Sequence, residues 1–444
     1  SAVLSLDGQE TIKEFREACR LYDKGMVNRS KVLFDAMSDK DSKADSEGYS
    51  VLCDVMMKTP GYELRMKEFF RTYPYSVHIP QIRYAYALNL FDAQKYKAAS
   101  AELALIKPKQ LEKSQRTEFL FKRAYSDLEN KDYDLALLRF RDVEKLPVSE
   151  YTAPSRYAIG YINYQKKDFR EALPWFEKSA EDGRFEAISN WYIMECRFMM
   201  HDYSYVVKYG PDMYETIAAE RKPHLARIIS ESYLVLGDAD SARRYYAFST
   251  DTDAPKTRAD WFYSGSVLYA VEDYKGAIES FNQMGMRTDS LGQIANYQLG
   301  YSYIQTKNKV AAMEAFKDAS FSKYDEDIAE DAYFNYAKLA FDLNNDATVF
   351  QNYLKTYSDV EKGDRIHSYI AVAALHDRNY AGAIEAYDKI DELDDNMRDN
   401  YMKANYLRAY QLIRNGSYRK AIPCLKAAAY YSDKGSRFNQ LSRY

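Results

Sequence analysis

A pattern that returns about every 35 residues runs through almost the whole chain and constrains its fold more than any other feature. Each copy has a small residue, a polar turn, an Ala three residues after the turn and a large apolar residue four further on. The Ala occurs at Ala99, Ala136, Ala172, Ala242, Ala277, Ala312, Ala383 and Ala421, and Ser30, Met66, Val206 and Phe350 take its place in weaker copies. Ser30 and Ala421 lie 391 residues apart, so eleven steps average about 35.5 residues. A fixed period of this length predicts stacked copies of one structural unit.

The spacing of apolar residues within each copy predicts two helices. Apolar residues recur at intervals of three and four on both sides of the polar turn, which is typical of two amphipathic helices. Because the turn is short, we expect helix A and helix B of each copy to form an antiparallel hairpin. The Ala of helix B marks the point where it closely approaches a small residue of helix A. The acidic residues just before helix B are predicted N-caps: Asp132, Asp168, Asp202 and Asp273.

A unit with this arrangement resembles the tetratricopeptide repeat, whose period is about 34 residues. The match is closest at Trp261, Ser264, Gly265, Leu268, Tyr274, Ala277 and Phe281. The resemblance covers nearly all of residues 11–435 and implies an all-α fold, a right-handed α-α superhelix of about twelve helix hairpins.

The repeat divides the chain into a continuous array. We expect units near 11–46, 47–78, 80–115, 117–150, 153–186, 187–220, 223–256, 258–291, 293–328, 330–362, 364–400 and 402–435. Residues 436–444 are interpreted as the start of helix A of a further, truncated unit.

The sequence offers few residues for catalysis. It contains no Gly-rich phosphate loop, no GxSxG elbow and no HExxH helix. Its 4 Cys show no CxxC spacing, and its 5 His form no pair at metal-ligand spacing. We therefore predict no catalytic residue, no metal and no cofactor. The net charge of −4 also predicts no nucleic-acid partner, and no apolar run approaches the ~20 residues of a membrane helix.

The resemblance also indicates where a partner would bind. In this family, the helix A positions fifteen, eleven and eight residues before the Ala face the concave side of the array. The candidate groove residues at these positions are Tyr125, Tyr157, Tyr161, Tyr164, Trp191, Arg227, Tyr269, Tyr297, Tyr301, Tyr406 and Tyr410. One interpretation is an aromatic groove that holds a peptide or a helix of a partner by stacking and hydroxyl hydrogen bonds. The other is that these rings only pack one helix A against the next. Arg227 alone does not form the carboxylate clamp of chaperone-binding relatives.

A shorter motif is similar to one in tetratricopeptide proteins of the Gram-negative cell envelope. Phe69-Phe70-Arg71-Thr72-Tyr73-Pro74 matches an F-x-x-x-Y-P phrase found between their units. The abundance of tyrosine, 43 residues, is similar to that of Bacteroides-like envelope proteins. This resemblance implies a periplasmic or outer-membrane-associated protein, with a cytoplasmic location as the alternative.

These observations predict a non-catalytic scaffold for protein–protein interaction. Two other interpretations stay open: a glycan- or nutrient-binding envelope protein, and a regulatory part of a larger enzyme. Nutrient-binding proteins of this type carry long insertions between repeats, whereas here the steps stay between 33 and 38 residues. That regularity favours the scaffold.

Overall fold

The structure is a computed structural model that describes residues 2–37, 43–250 and 253–444. These residues form 25 α-helices, and none of them lies in a β-strand. The chain divides into two compact units, residues 1–208 and 209–444.

The first unit contains α1 to α11 and the beginning of α12. Their bounds are α1 Ala2–Asp23, α2 Val27–Asp35, α3 Lys43–Met57, α4 Tyr62–Thr72, α5 Ile79–Asp92, α6 Tyr96–Ala104, α7 Arg116–Glu129, α8 Tyr133–Glu144, α9 Thr152–Gln165, α10 Phe169–Ser179, α11 Glu186–Met199 and α12 Tyr203–Thr216.

The second unit contains α13 to α25. Their bounds are α13 Lys222–Val235, α14 Ala239–Ser249, α15 Arg258–Ala270, α16 Tyr274–Asn282, α17 Ser290–Gln305, α18 Lys309–Phe321, α19 Glu326–Asn344, α20 Thr348–Thr356, α21 Val360–His376, α22 Tyr380–Asp388, α23 Asp395–Arg414, α24 Tyr418–Tyr431 and α25 Arg437–Arg443.

Successive helices pack as hairpins in each unit. The pairs run from α1/α2 to α9/α10 in the first unit and from α13/α14 to α23/α24 in the second. Most of the second helices also pack against the first helix of the next hairpin, as α8 does on α9 and α18 on α19. The predicted all-α tetratricopeptide-like hairpin fold is therefore confirmed. The last helix, α25, packs against α24.

The recurring Ala and Gly positions explain how the two helices of a hairpin approach each other. Every Ala at the predicted position is at most 1% exposed. A Cβ built on Gly265 would lie 2.5 Å from the Phe281 ring, and one on Gly300 would lie 2.6 Å from the Phe316 ring. Real Cβ contacts essentially never fall below 3.0 Å, so the ring of helix B rests directly on the glycine of helix A. A glycine inside a helix destabilises the helix by roughly 1 kcal/mol relative to alanine. The packing of the phenylalanine ring against the glycine offsets this cost.

The turns between paired helices have one recurring geometry. Asp168 accepts a hydrogen bond from the Glu171 amide at 3.1 Å and caps α10. Lys167, the residue before this cap, has a φ of 62°, in the left-handed region that reverses the chain. The other predicted caps, Asp132, Asp202 and Asp273, accept equivalent bonds. Asn308 and Asn379 cap α18 and α22 in the same way, although the sequence pattern singled out only Asp.

Candidate functional site: an aromatic groove

A cavity of about 650 Å³ opens between helices α7 and α9 of the first unit. Phe121 and Tyr125 of α7 form one wall, and Tyr157 and Tyr161 of α9 form the other. Phe185, the residue before α11, also lines it. We call these five residues the aromatic groove. The rest of the lining consists of Leu128, Glu129, Lys131, Tyr133, Pro154 and Ala158.

Helical spacing explains why the rings of each wall lie together. Residues four apart share one face of a helix, so Phe121 lies beside Tyr125 and Tyr157 beside Tyr161. The Phe121 and Tyr125 ring centroids are 6.1 Å apart. The rings of Tyr157 and Tyr161 are stacked at 6.3 Å with an interplanar angle of 22°. Each wall is therefore a continuous aromatic surface.

Residues behind the second wall fix its rings. The Phe176 ring of α10 packs edge-on against Tyr157 at 5.8 Å. The Tyr192 ring of α11 packs edge-on against Tyr161 at 6.0 Å. Phe176 and Tyr192 belong to helices α10 and α11, so the Tyr157 and Tyr161 rings that they contact are held in position before any ligand binds.

The hydroxyls of Tyr125 and Tyr161 stay protonated over the physiological pH range. Burial, with the nearby Glu129 carboxylate, raises the pKa of Tyr125 to about 12. Burial also raises the pKa of Tyr161, and the neighbouring Tyr192, Tyr133 and Glu129 act in the same direction. A protonated hydroxyl can donate a hydrogen bond. The lining therefore combines aromatic rings, tyrosine hydroxyls, the Glu129 carboxylate and the Lys131 ammonium.

The next two candidates of the first unit are Tyr164 and Trp191. The Tyr164 hydroxyl donates to Glu195 Oε2 of α11 at 2.8 Å, and burial followed by this carboxylate raises the pKa of Tyr164. Trp191 is only 9% exposed, so its ring belongs to the packed interior.

Two candidate tyrosines of the second unit, Tyr297 and Tyr301, also contact the following hairpin. The Tyr297 and Tyr301 hydroxyls lie 2.7 Å and 2.9 Å from Asp331 Oδ2 of α19. Asn335 Nδ2 donates to the Tyr301 hydroxyl at 3.2 Å. Burial is the main reason that the pKa values of both tyrosines are raised. The Tyr301 ring also lines a second cavity of about 540 Å³ together with Phe341.

The remaining candidates are spread over the second unit. Arg227 forms an ion pair with Asp260 of the next hairpin. Tyr269 packs edge-on against Tyr274 at 5.9 Å, and Tyr406 against Phe438 of α25 at 5.3 Å. Tyr410 is 59% exposed.

The structure thus brings Tyr125, Tyr157 and Tyr161 together around one cavity, and it engages most of the other candidates in packing or hairpin-to-hairpin bonds. Phe121, fifteen residues before Ala136, also fits the sequence pattern, whereas Glu129 and Phe185 do not. Glu129 lies four residues after Tyr125 on the same helix, so helical spacing could have found it. Phe185 lies in a connector that has no periodic signal.

The described residues contain no group of His, Cys, Asp and Glu that could hold a metal ion. The four cysteines are free thiols, and burial raises the pKa of Cys53 to about 11. In the same part of the chain, no helix combines the length and the apolar composition that crossing a membrane requires.

No protein-family model and no curated protein sequence matches the chain. Among solved structures, it is similar to a chain of Naa15/Naa10 bound to HypK-THB, with 13% identity, a TM-score of 0.41, and coverage of 96% of this chain and 69% of that chain. It is also similar to a chain of the APC/C hetero-tetramer Cut9–Hcn1, with 14% identity, a TM-score of 0.27, and coverage of 100% and 91%. Both TM-scores are below 0.5.

Proposed function

We propose that this protein is a non-catalytic scaffold that binds a segment of a partner protein in the aromatic groove. The observation that carries the proposal is the cavity between α7 and α9, which is lined by rings from two successive hairpins. Aromatic residues are enriched at protein interfaces because a ring offers a large contact area and few bonds to immobilise. The size of the cavity suits side chains of an extended or helical segment.

The regular spacing of hairpins supports a scaffold over the nutrient-binding alternative. The connector between α6 and α7, residues 105–115, contains only two short 3₁₀ turns, Pro108–Gln110 and Lys113–Gln115. The other described connectors between hairpins are shorter still. A sugar site of the kind built on long insertions would need more chain than these connectors provide.

A periplasmic or outer-membrane-associated assembly is the cellular setting that we propose for this scaffold. The support is the Phe69–Pro74 phrase together with the abundance of tyrosine. Fractionation of cells that make the natural protein tests the setting, and recovery in the cytoplasm would contradict it.

Site-specific photo-crosslinking tests the binding function. Benzoylphenylalanine placed at Tyr161 is expected to crosslink to a defined partner in cells, because this residue lines the aromatic groove. The same probe at Tyr75, which is 96% exposed and lies outside the groove, serves as the matched control. A partner that crosslinks from position 161 and not from position 75 supports the proposal. Equal crosslinking from both positions, or none from 161, would contradict it.

A further inference from the structure

We propose that the exposed side of α24 binds the surface of a membrane that contains anionic lipids. This side consists of Tyr418, Arg419, Ile422, Pro423, Lys426 and Tyr430, and we call it the α24 face. The α24 face belongs to the second unit, whereas the aromatic groove belongs to the first. The inference therefore goes beyond the proposed function and does not depend on it.

Helical spacing places these six residues on one side of α24. All six are exposed, and they follow one another at intervals of three and four residues, which share one face of a helix. The opposite side carries Ala421 and Ala428, which are buried. Ala421 packs with Ala409 and Leu412 of α23. The α24 face is therefore turned away from the α23/α24 hairpin core.

The part of the chain that carries this face is strongly basic. Residues 401–444 contain 9 Lys and Arg but only one acidic residue, Asp433. Residues 231–400 of the same unit contain 17 Lys and Arg against 30 Asp and Glu. The basic side chains are thus gathered on α23, α24 and α25, at one end of an otherwise acidic stretch of sequence.

The cations of the α24 face are not neutralised within the chain. Residues 401–444 are all described by the structure, and among their nine Lys and Arg side chains Lys403 alone forms an ion pair, with Asp399 of its own helix at 2.7 Å. Arg419 and Lys426 lie two helical turns apart on the α24 face and are exposed. Their charges are therefore available to an external anion.

The acidic groups near α24 lie away from this face. Asp388 of α22 is close enough to Cys424 to add to the effect of burial, which raises the pKa of that thiol. Helical spacing places Cys424 on the side of α24 roughly opposite the α24 face, and Asp388 accepts a hydrogen bond from the Tyr401 hydroxyl. Asp433 follows the end of α24 in the connector to α25. The face itself contains no acidic residue.

The apolar residues of the face favour a membrane over a soluble acidic partner. Tyr418, Ile422 and Tyr430 are 66%, 50% and 80% exposed. Tyr is enriched at membrane interfaces because its ring enters the apolar boundary while its hydroxyl stays among the headgroups. Helix faces that combine Lys or Arg with apolar side chains bind anionic lipid surfaces through both kinds of residue. No residue of α24 lines either cavity described above, and the side of a single helix suits a flat surface.

Electrostatic screening allows the face to act although the whole chain has a net charge of −4. The Debye length is about 10 Å at 0.1 M ionic strength, so the lipids attract the nearby cations and are screened from acidic residues farther away. Each Lys or Arg near an anionic bilayer strengthens binding about five-fold.

Cosedimentation of the full chain with vesicles tests the inference. Vesicles of phosphatidylcholine with about 30% phosphatidylglycerol, in about 0.1 M salt, are expected to bind the chain at least about ten-fold more tightly than vesicles of pure phosphatidylcholine. Arg419→Gln combined with Lys426→Gln is expected to weaken binding to the anionic vesicles about 30-fold. Tyr418→Ser combined with Tyr430→Ser keeps the charge and is expected to weaken binding about five-fold.

Lys323→Gln combined with Lys355→Gln is the matched control, because both lysines are exposed in the same unit and lie outside α24. We expect this control to bind the anionic vesicles as the parent chain does. Equal weakening by the control and by the Arg419 and Lys426 variant would contradict the inference, and so would equal binding to both kinds of vesicle.

A soluble polyglutamate peptide distinguishes a membrane from an acidic protein partner. We expect the parent chain to bind it more weakly than it binds the anionic vesicles, because the peptide offers no apolar boundary for the tyrosines. If the peptide bound as tightly as the vesicles and the tyrosine variant bound the vesicles like the parent chain, the partner would be an acidic protein and the membrane proposal would be wrong. Crosslinking from position 161 tests the aromatic groove separately and is not affected by either result.

Discussion

Replacing Phe281 by Ala is expected to lower the local free energy of unfolding of the α15/α16 hairpin by about 3–5 kcal/mol. The Phe281 side chain is fully buried and rests on the backbone of Gly265, with no side chain between them. Because Gly265 has no side chain that could fill the space, the substitution leaves a cavity. Hydrogen exchange of the amides of α15 and α16 measures the effect, and we expect protection to fall roughly 10²–10⁴-fold.

The control for this prediction is Tyr324→Ala, which truncates an aromatic residue that is 63% exposed in the same unit. We expect it to change protection by less than about two-fold, since it removes little buried surface. If Phe281→Ala changed protection no more than this control does, the ring-on-glycine packing described for the hairpins would be wrong.

Replacing Asp331 by Ala is expected to cost about 1–3 kcal/mol in the local stability of α17 and α19. The substitution leaves the half-buried hydroxyls of Tyr297 and Tyr301 without their shared acceptor, and Asn335 loses a side-chain partner. Hydrogen exchange of α17 amides provides the measurement. The conservative change Asp331→Asn retains an acceptor oxygen, so we expect it to lower the local stability of α17 and α19 by less than Asp331→Ala does.

A mutant cycle separates these hydrogen bonds from other roles of Asp331. Tyr297→Phe combined with Tyr301→Phe removes both donors and keeps both rings. In that background, Asp331→Ala should cost clearly less, because no hydroxyl is left without a partner. An equal cost in both backgrounds would mean that Asp331 stabilises the hairpins in some other way, such as through Lys362, whose Nζ lies 3.9 Å from Asp331 Oδ1.

The hairpin fold could be predicted from the sequence because its determinants are local. The close approach of the two helices depends on a small residue and a large apolar residue within one copy of the repeat, as at Gly265 and Phe281. Such a pattern recurs at fixed spacing and is visible without a structure. The N-cap of helix B is also local, and Asp168 and Asp273 were predicted for that reason.

The candidate site could be predicted only in part. Spacing selected Tyr125, Tyr157 and Tyr161, which line one cavity, but it also selected Tyr164 and Tyr297. The hydroxyls of these two residues reach carboxylates on the next hairpin, 31 and 34 residues away. Whether such a bond forms depends on the stacking of neighbouring hairpins, which no pattern within one repeat reveals.

The central claim is that the aromatic groove binds the partner, and the dissociation constant of the purified complex tests it most directly. The partner identified by crosslinking would be titrated with the parent chain, with the double variant Tyr125→Ala and Tyr161→Ala, and with a control double variant, Tyr75→Ala and Tyr324→Ala. Each groove ring, as an interface anchor, is expected to contribute about 2 kcal/mol, so the groove variant should bind about 10²–10³-fold more weakly. The control removes two tyrosines that are 96% and 63% exposed and should leave the dissociation constant unchanged. Equal affinity of the parent chain and the groove variant, with circular dichroism showing both fully helical, would contradict the claim.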